Sequence, residues 1–231
     1  MADSRRNIKE AADRCLARPE LKEAIKCIRE LPAGKAIKPL LSALCSADDL
    51  VKWRAVSLLG RVIADVADED IERGRDLMRR LMWSLNDESG GIGWGAPETM
   101  AEAMTNHEEL AHGFAHVLVS FIAPEGQYLE HEPLQKGAVW GVGRLARFRP
   151  ELLEDAEQYL MPLLASEDPE VRGMAAWALG PLATGESMDG LAGLTKDDSR
   201  VPVYREGELM EESIAELARA ALEAASARKG G

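Results

Sequence analysis

The stretch SGGIGWGAPE, Ser89 to Glu98, holds residue types whose chemistry helix packing does not require. Its four glycines, Gly90, Gly91, Gly93 and Gly95, would expose bare backbone amides beside a helix start, an arrangement that cradles anions. Two carboxylates, Glu88 and Glu98, flank those glycines, so the stretch suits a cation, a hydrogen-bond donor or a planar group better than a phosphate. A dinucleotide-binding motif is excluded because no strand precedes the glycines. Glu98 is the first choice for a functional residue, set against a purely structural role as a cap or as ion-pair partner of Lys136 or Arg54.

Glu108, His112 and His116 form a second constellation. Spaced four apart on one predicted helix, they share a face and could ligate zinc or iron. The run HEELAH is one residue too long for the HExxH zinc motif, and Leu110, Phe114, Val117 and Phe121 take the core face. The stripe therefore reads as solvated surface, with no metal and no other cofactor expected. No Ser-His-Asp or Cys-His nucleophile follows from spacing.

The elements that position these residues are helical. Ala, Leu, Glu and Arg dominate, alternating β-branched stretches are absent, and the expected class is all-α. One pattern recurs as DLVKWRAVSLLGRV, GGIGWGAPETMAEA, EPLQKGAVWGVGRL and PEVRGMAAWALGPL, with Ala55, Ala96, Ala138 and Ala175 in one column. A degenerate fifth copy puts Ser213 in that column. Each copy follows a second helical segment, so the unit is a helix pair, here called A then B. The expected architecture is an α-α superhelix of about five helix pairs over residues 34–226, behind an N-terminal helical cap at 1–33 and before a frayed tail at 227–231.

VRGMAAWALGPLA, with EDPE before it, resembles the HEAT-like repeats of phycobilisome (bilin) lyase subunits, a likeness covering about residues 34–226. SLNDESGGIGWGAPE also resembles an uncharacterised bacterial HEAT-like family. The resemblance implies a solenoid whose B helices line a concave groove. HEAT-like repeats also build the di-iron enzyme deoxyhypusine hydroxylase, but its His-Glu slot holds Trp53-Arg54, Trp94-Gly95, Lys136-Gly137 and Gly173-Met174 here, so no ligands carry over.

On that reading, residues four apart on the B helices form columns across the groove: Trp53, Trp94, Lys136 and Gly173, then Ser57, Glu98, Trp140 and Trp177, then Arg61, Glu102 and Arg144. Aromatic planes among cations and a carboxylate would suit a peptide, a planar ligand or a cationic group. Filling space between neighbouring helices is the competing role for the tryptophans. Pro97 falls where the other B helices are well under way, so this helix either starts late near Ala96 or kinks. Loops carrying Tyr128, His131, Tyr204 and Arg205, together with Glu88, Gly91 and Gly93, would wall the resulting notch.

Of 231 residues, 40 are acidic and 28 basic, a net charge of −12 with no evident basic patch, which disfavours nucleic acid and anionic membranes. The N-terminus lacks a signal-peptide core, and no uncharged run approaches the ~20 residues that cross a bilayer. A cytoplasmic protein is expected. Cys15, Cys27 and Cys45 read as small buried hydrophobes. The function these features favour is a non-enzymatic scaffold binding a basic or aromatic-rich protein or peptide, with homodimerisation through exposed tryptophans as a further use. The competing class is an enzyme or enzyme subunit with a small-molecule site around Trp94 and Glu98.

Overall fold

Aspartates start three of the helices. Asp48 accepts from Val51 N–H, Asp70 from Glu72 and Arg73 N–H, and Asp168 from Glu170 N–H with Pro169 next in line. The computed structural model describes residues 2–86, 92–153 and 155–229. Its helices are α1 (Ala2–Leu16), α2 (Leu21–Arg29), α3 (Ala33–Ala43), α4 (Asp49–Glu69), α5 (Ile71–Ser84), α6 (Ala96–Asn106), α7 (Glu108–Ser120), α8 (Glu132–Ala146), α9 (Ala156–Leu160), α10 (Pro169–Leu179), α11 (Gly185–Gly193) and α12 (Ile214–Lys229). Short 3-10 turns at Pro150–Leu152 and Met161–Ala165 flank α9.

Two compact units divide the chain: Met1–Ala111 with Tyr204–Glu208, and His112–Val203 with Leu209–Gly231. In the first, α4 is the central rod, buried along most of its length, and α6 crosses it closely. Gly60 makes that crossing fit, because a Cβ there would lie 2.4 Å from Glu102 Cβ and 2.9 Å from Ala103 N. In the second, α8 packs on α10 at Gly143, where a Cβ would lie 2.7 Å from Ala178 Cα and from the Trp177 ring.

Ala55, Ala138 and Ala175 are each the seventh residue of their helices, whereas Ala96 is the first of α6. The late start thus prevails over the kink, and α6 is short by six residues, ~9 Å at 1.5 Å per residue. Gly93 and Gly95 make the entry, both left-handed at φ 66° and 69°, and Pro97 stands in the first turn, where its missing N–H costs nothing.

Three expectations are corrected. Cys15 and Cys27, 12 positions apart in sequence, are bonded as a disulfide with Cα atoms 5.4 Å apart, because the α1–α2 hairpin folds back on itself; Cys45 is free and exposed. The expected loop carrying Tyr204 and Arg205 is part of a β-hairpin, β1 (Arg200–Arg205) with β2 (Glu208–Ser213), in which Val201 and Val203 share a buried face. Ser213 closes β2 and precedes α12, so it occupies no helical column.

Gly60→Ala should force α4 and α6 apart and destabilise the protein by about 3 kcal/mol, read from urea denaturation. A loss below ~0.5 kcal/mol would show that the crossing relaxes freely.

Candidate functional site

Trp53, Ser57 and Arg61 stand one turn apart along α4, in the order their spacing demands. The row is not open. Tyr204, from the hairpin tip that belongs to the first unit, stacks on Trp53 with ring centroids 5.0 Å apart and planes 12° from parallel. Its hydroxyl lies 3.0 Å from Ser57 Oγ, and Tyr204 is only 2% exposed, a core residue rather than a loop wall. Gly207, three residues on, packs its Cα against Leu21 of α2. Arg205 and Arg61 are half-buried, and Arg61 Nε has no acceptor among the described residues.

Glu98, third in α6, is 4% exposed. Burial pushes its carboxyl above the ordinary glutamate value, opposed less strongly by its own backbone N–H and by the charge of Lys52. Glu98 Oε2 and the neighbouring Thr99 Oγ1 have no hydrogen-bond partner among the described residues. Neither expected ion-pair partner serves Glu98: Arg54 donates to the carbonyls of Leu16 and Pro19, and Lys136 is engaged elsewhere. Lys52 Nζ sits 6.0 Å from the centre of the half-buried Trp94 ring. Gly93 backs onto Ser84 O; Glu88 and Gly91 lie outside the described residues.

In the second unit the tryptophans are core. Trp140 and Trp177 are 1% and 4% exposed and stack at 6.0 Å, so the expected groove-facing role gives way to the space-filling one. Arg147 covers Trp177 at 3.6 Å and donates to Gly143 O and Trp177 O, a clamp across α8 and α10. Half-buried Arg144 lies 4.8 Å from the exposed Phe148 ring. Lys136 is ringed by Glu132, Asp168 and Glu170 at 2.9, 2.7 and 2.8 Å. Burial disfavours its ammonium, but the three carboxylates more than offset this and hold its pKa above the ordinary lysine value. His131, exposed, precedes α8, and exposed Tyr128 accepts a hydrogen bond from Gln135.

Along α7, Glu108, His112 and His116 are all exposed, and no group of three or more metal-ligating side chains occurs among the described residues. His116 instead borders an open cleft of ~430 Å³ in the second unit. Val119, Ala123, Leu152 and Leu153 form its apolar part, and Glu125, Glu151, Asp155 and Tyr159 its rim. The Tyr159 hydroxyl donates to Glu125, which lowers that carboxylate's pKa and raises the phenol's. The sequence signal for this rim was the acid-rich run PELLEDAEQY following the PEG turn; only tertiary packing brings the two together.

Comparisons with known proteins agree with this geometry. Residues 132–182 match the HEAT-like repeat family. An uncharacterized protein of Archaeoglobus fulgidus is 29% identical over 188 residues, covering 78% of this chain and 93% of that protein. The chain is similar in fold to a crystallised engineered protein (TM-score 0.52, 17% identity, 96% and 97% of the two chains). It is similarly related to a designed armadillo repeat protein in complex with the peptide (KR)4 (TM-score 0.51, 21% identity, 94% and 98%). The fold class is all-α, of the HEAT and armadillo-like helical-repeat solenoids.

Since Glu98 titrates above its ordinary value when folded, the stability tied to it is complete in acid, below that ordinary value, and drains as pH rises through the folded value. Glu98→Gln should therefore raise Tm by about 3 °C near pH 8 and change it little near pH 4, followed by thermal denaturation. A destabilised variant near pH 8 would mean that the carboxylate is paired.

Proposed function

We propose that the chain is a non-enzymatic scaffold that binds a basic protein segment, and that the cleft rimmed by Glu125, Glu151, Asp155 and Tyr159 receives its cationic side chains. The carrying observation is three carboxylates around an apolar floor in a space of ~430 Å³, room for one or two long basic side chains whose methylenes rest on Val119 and Leu152. The net charge of −12 steers a basic partner toward the chain. The fold likeness to a designed armadillo protein holding (KR)4 supports the same partner class. The likeness of VRGMAAWALGPLA to bilin-lyase repeats is read as a repeat unit only, and this reading needs no cofactor.

One observation favours a second reading, a small-molecule site at Trp94 and Glu98: the Glu98 oxygen that has no partner among the described residues, near Lys52 and Trp94, suits a donor group of a small ligand.

Fluorescence anisotropy with a labelled (KR)4 peptide separates the readings. Glu151→Lys with Asp155→Lys, both at exposed positions, should weaken binding about tenfold or more, and added salt should weaken the wild type. Equal affinity in wild type and variant would remove the cleft from the function. Loss of binding in Glu98→Gln alone would transfer it to the second reading.

A further inference from the structure

The first unit holds another cleft, of ~200 Å³, on the side of α4 toward α3 and α5. Ile37 and Leu41 of α3, Leu59 and Ile63 of α4, and Leu77 and Leu81 of α5 make it apolar, with Arg80 and Ser84 at its margin. Arg73, Leu77, Arg80 and Ser84 follow one another at four, three and four residues and so share one face of α5. Arg73 reaches toward α3, its Nη2 lying 3.8 Å from where a Gly34 Cβ would stand.

The charge here is opposite to that of the chain. α3 carries Lys35 and Lys38 and no carboxylate, and α5 carries four arginines against Glu72 and Asp76. Those two acids are taken by Arg75 and Arg79. Arg73 and Arg80, both exposed, have no side-chain ion pair or hydrogen bond among the described residues. The sequence, summed to −12, showed no basic patch because these cations lie on two helices separated by the whole of α4. Trp83, 58% exposed, stands on α5 beside Ser84, an aromatic anchor of the kind that interfaces favour.

We infer that this cleft is a docking site for an acidic amphipathic helix of a partner protein, whose apolar side chain enters between α3 and α5 while two of its carboxylates meet Arg73 and Arg80. Spacing, size and charge all select that occupant. The two arginines stand seven positions apart, ~10.5 Å along the helix, which equals the reach of two glutamates seven apart on a partner helix. About 200 Å³ takes one or two large side chains, less than the ~300–1,000 Å³ of a typical small-molecule pocket. Phosphate backbones gain nothing from a Leu and Ile floor, whereas an amphipathic helix gains from both floor and rim. This surface is independent of the acidic cleft proposed above and selects the opposite charge.

The test uses two labelled helical peptides with the same leucines, one bearing glutamates seven apart around them and one bearing lysines there. Anisotropy titration should show the glutamate peptide binding at least about tenfold tighter, with Arg73→Glu plus Arg80→Glu abolishing or reversing that preference. Both substitutions are at exposed positions, and circular dichroism verifies the fold. Leu41→Asn tests the floor and should weaken the glutamate peptide while retaining the preference for it over lysine. Absence of saturable binding, equal affinity for the two peptides, or indifference to the double reversal each overturns the proposal. Sedimentation showing a wild-type dimer that Arg80→Glu dissociates would assign the face to a second copy and overturn the partner-protein reading. Because (KR)4 binding reads the other cleft, failure here leaves that result standing, and the converse holds.

Discussion

Both units depend on helices that approach until backbones nearly touch. Gly60 admits α6 onto α4, and Gly143 admits α10 onto α8; in each case a single methyl would collide with atoms that have no room to retreat. Such proximity turns the inner faces of paired helices into core. Trp140 and Trp177 are spent there on each other and on the Arg147 clamp, which is why their regular spacing reports packing rather than a ligand. What remains for recognition is the margin of each unit, where loops and outer helices leave shallow, charged clefts.

Much of the fold was legible because repeat, cap and small-residue signals are local. Asp168-Pro169 announces α10, and the Ala column places the crossings. Pro97 and its preceding glycines required a late or bent helix, and the left-handed Gly93 and Gly95 supply the late one. The hairpin was hidden because Pro202 interrupts a strand of only six residues, which a two-stranded ribbon tolerates at a position needing no donor. The disulfide was hidden because two cysteines 12 positions apart across a helix-turn-helix give no motif, only a meeting in space. The site was the least legible part: Glu125 and Tyr159 are 34 residues apart, and Tyr204 meets Ser57 across 147.

Environment assigns different roles to chemically similar carboxylates. Glu98, in an apolar setting at the start of α6, tends toward its neutral form, although a helix N-terminus favours an anion there. Asp168 and Glu170 pair with Lys136, and the Tyr159 hydroxyl favours the ionised form of Glu125. A surplus of acid read from composition therefore becomes a neutralised cluster, a buried acid and an open anionic rim. Basic residues divide likewise: Lys136 is saturated, while Arg73 and Arg80 keep their charge available.

The hairpin tip has a consequence for how the chain is made. Tyr204–Glu208 completes a unit whose other residues all precede position 112, so the stack of Tyr204 on Trp53 can form only after residue 204 has been synthesised. The Ser57–Tyr204 contact joins residues 147 apart, and so long a loop closure is the slow kind of step. A nascent chain that has not yet reached Tyr204 lacks both the stack on Trp53 and the contact with Ser57, so the core of the first unit is finished by residues far along the sequence.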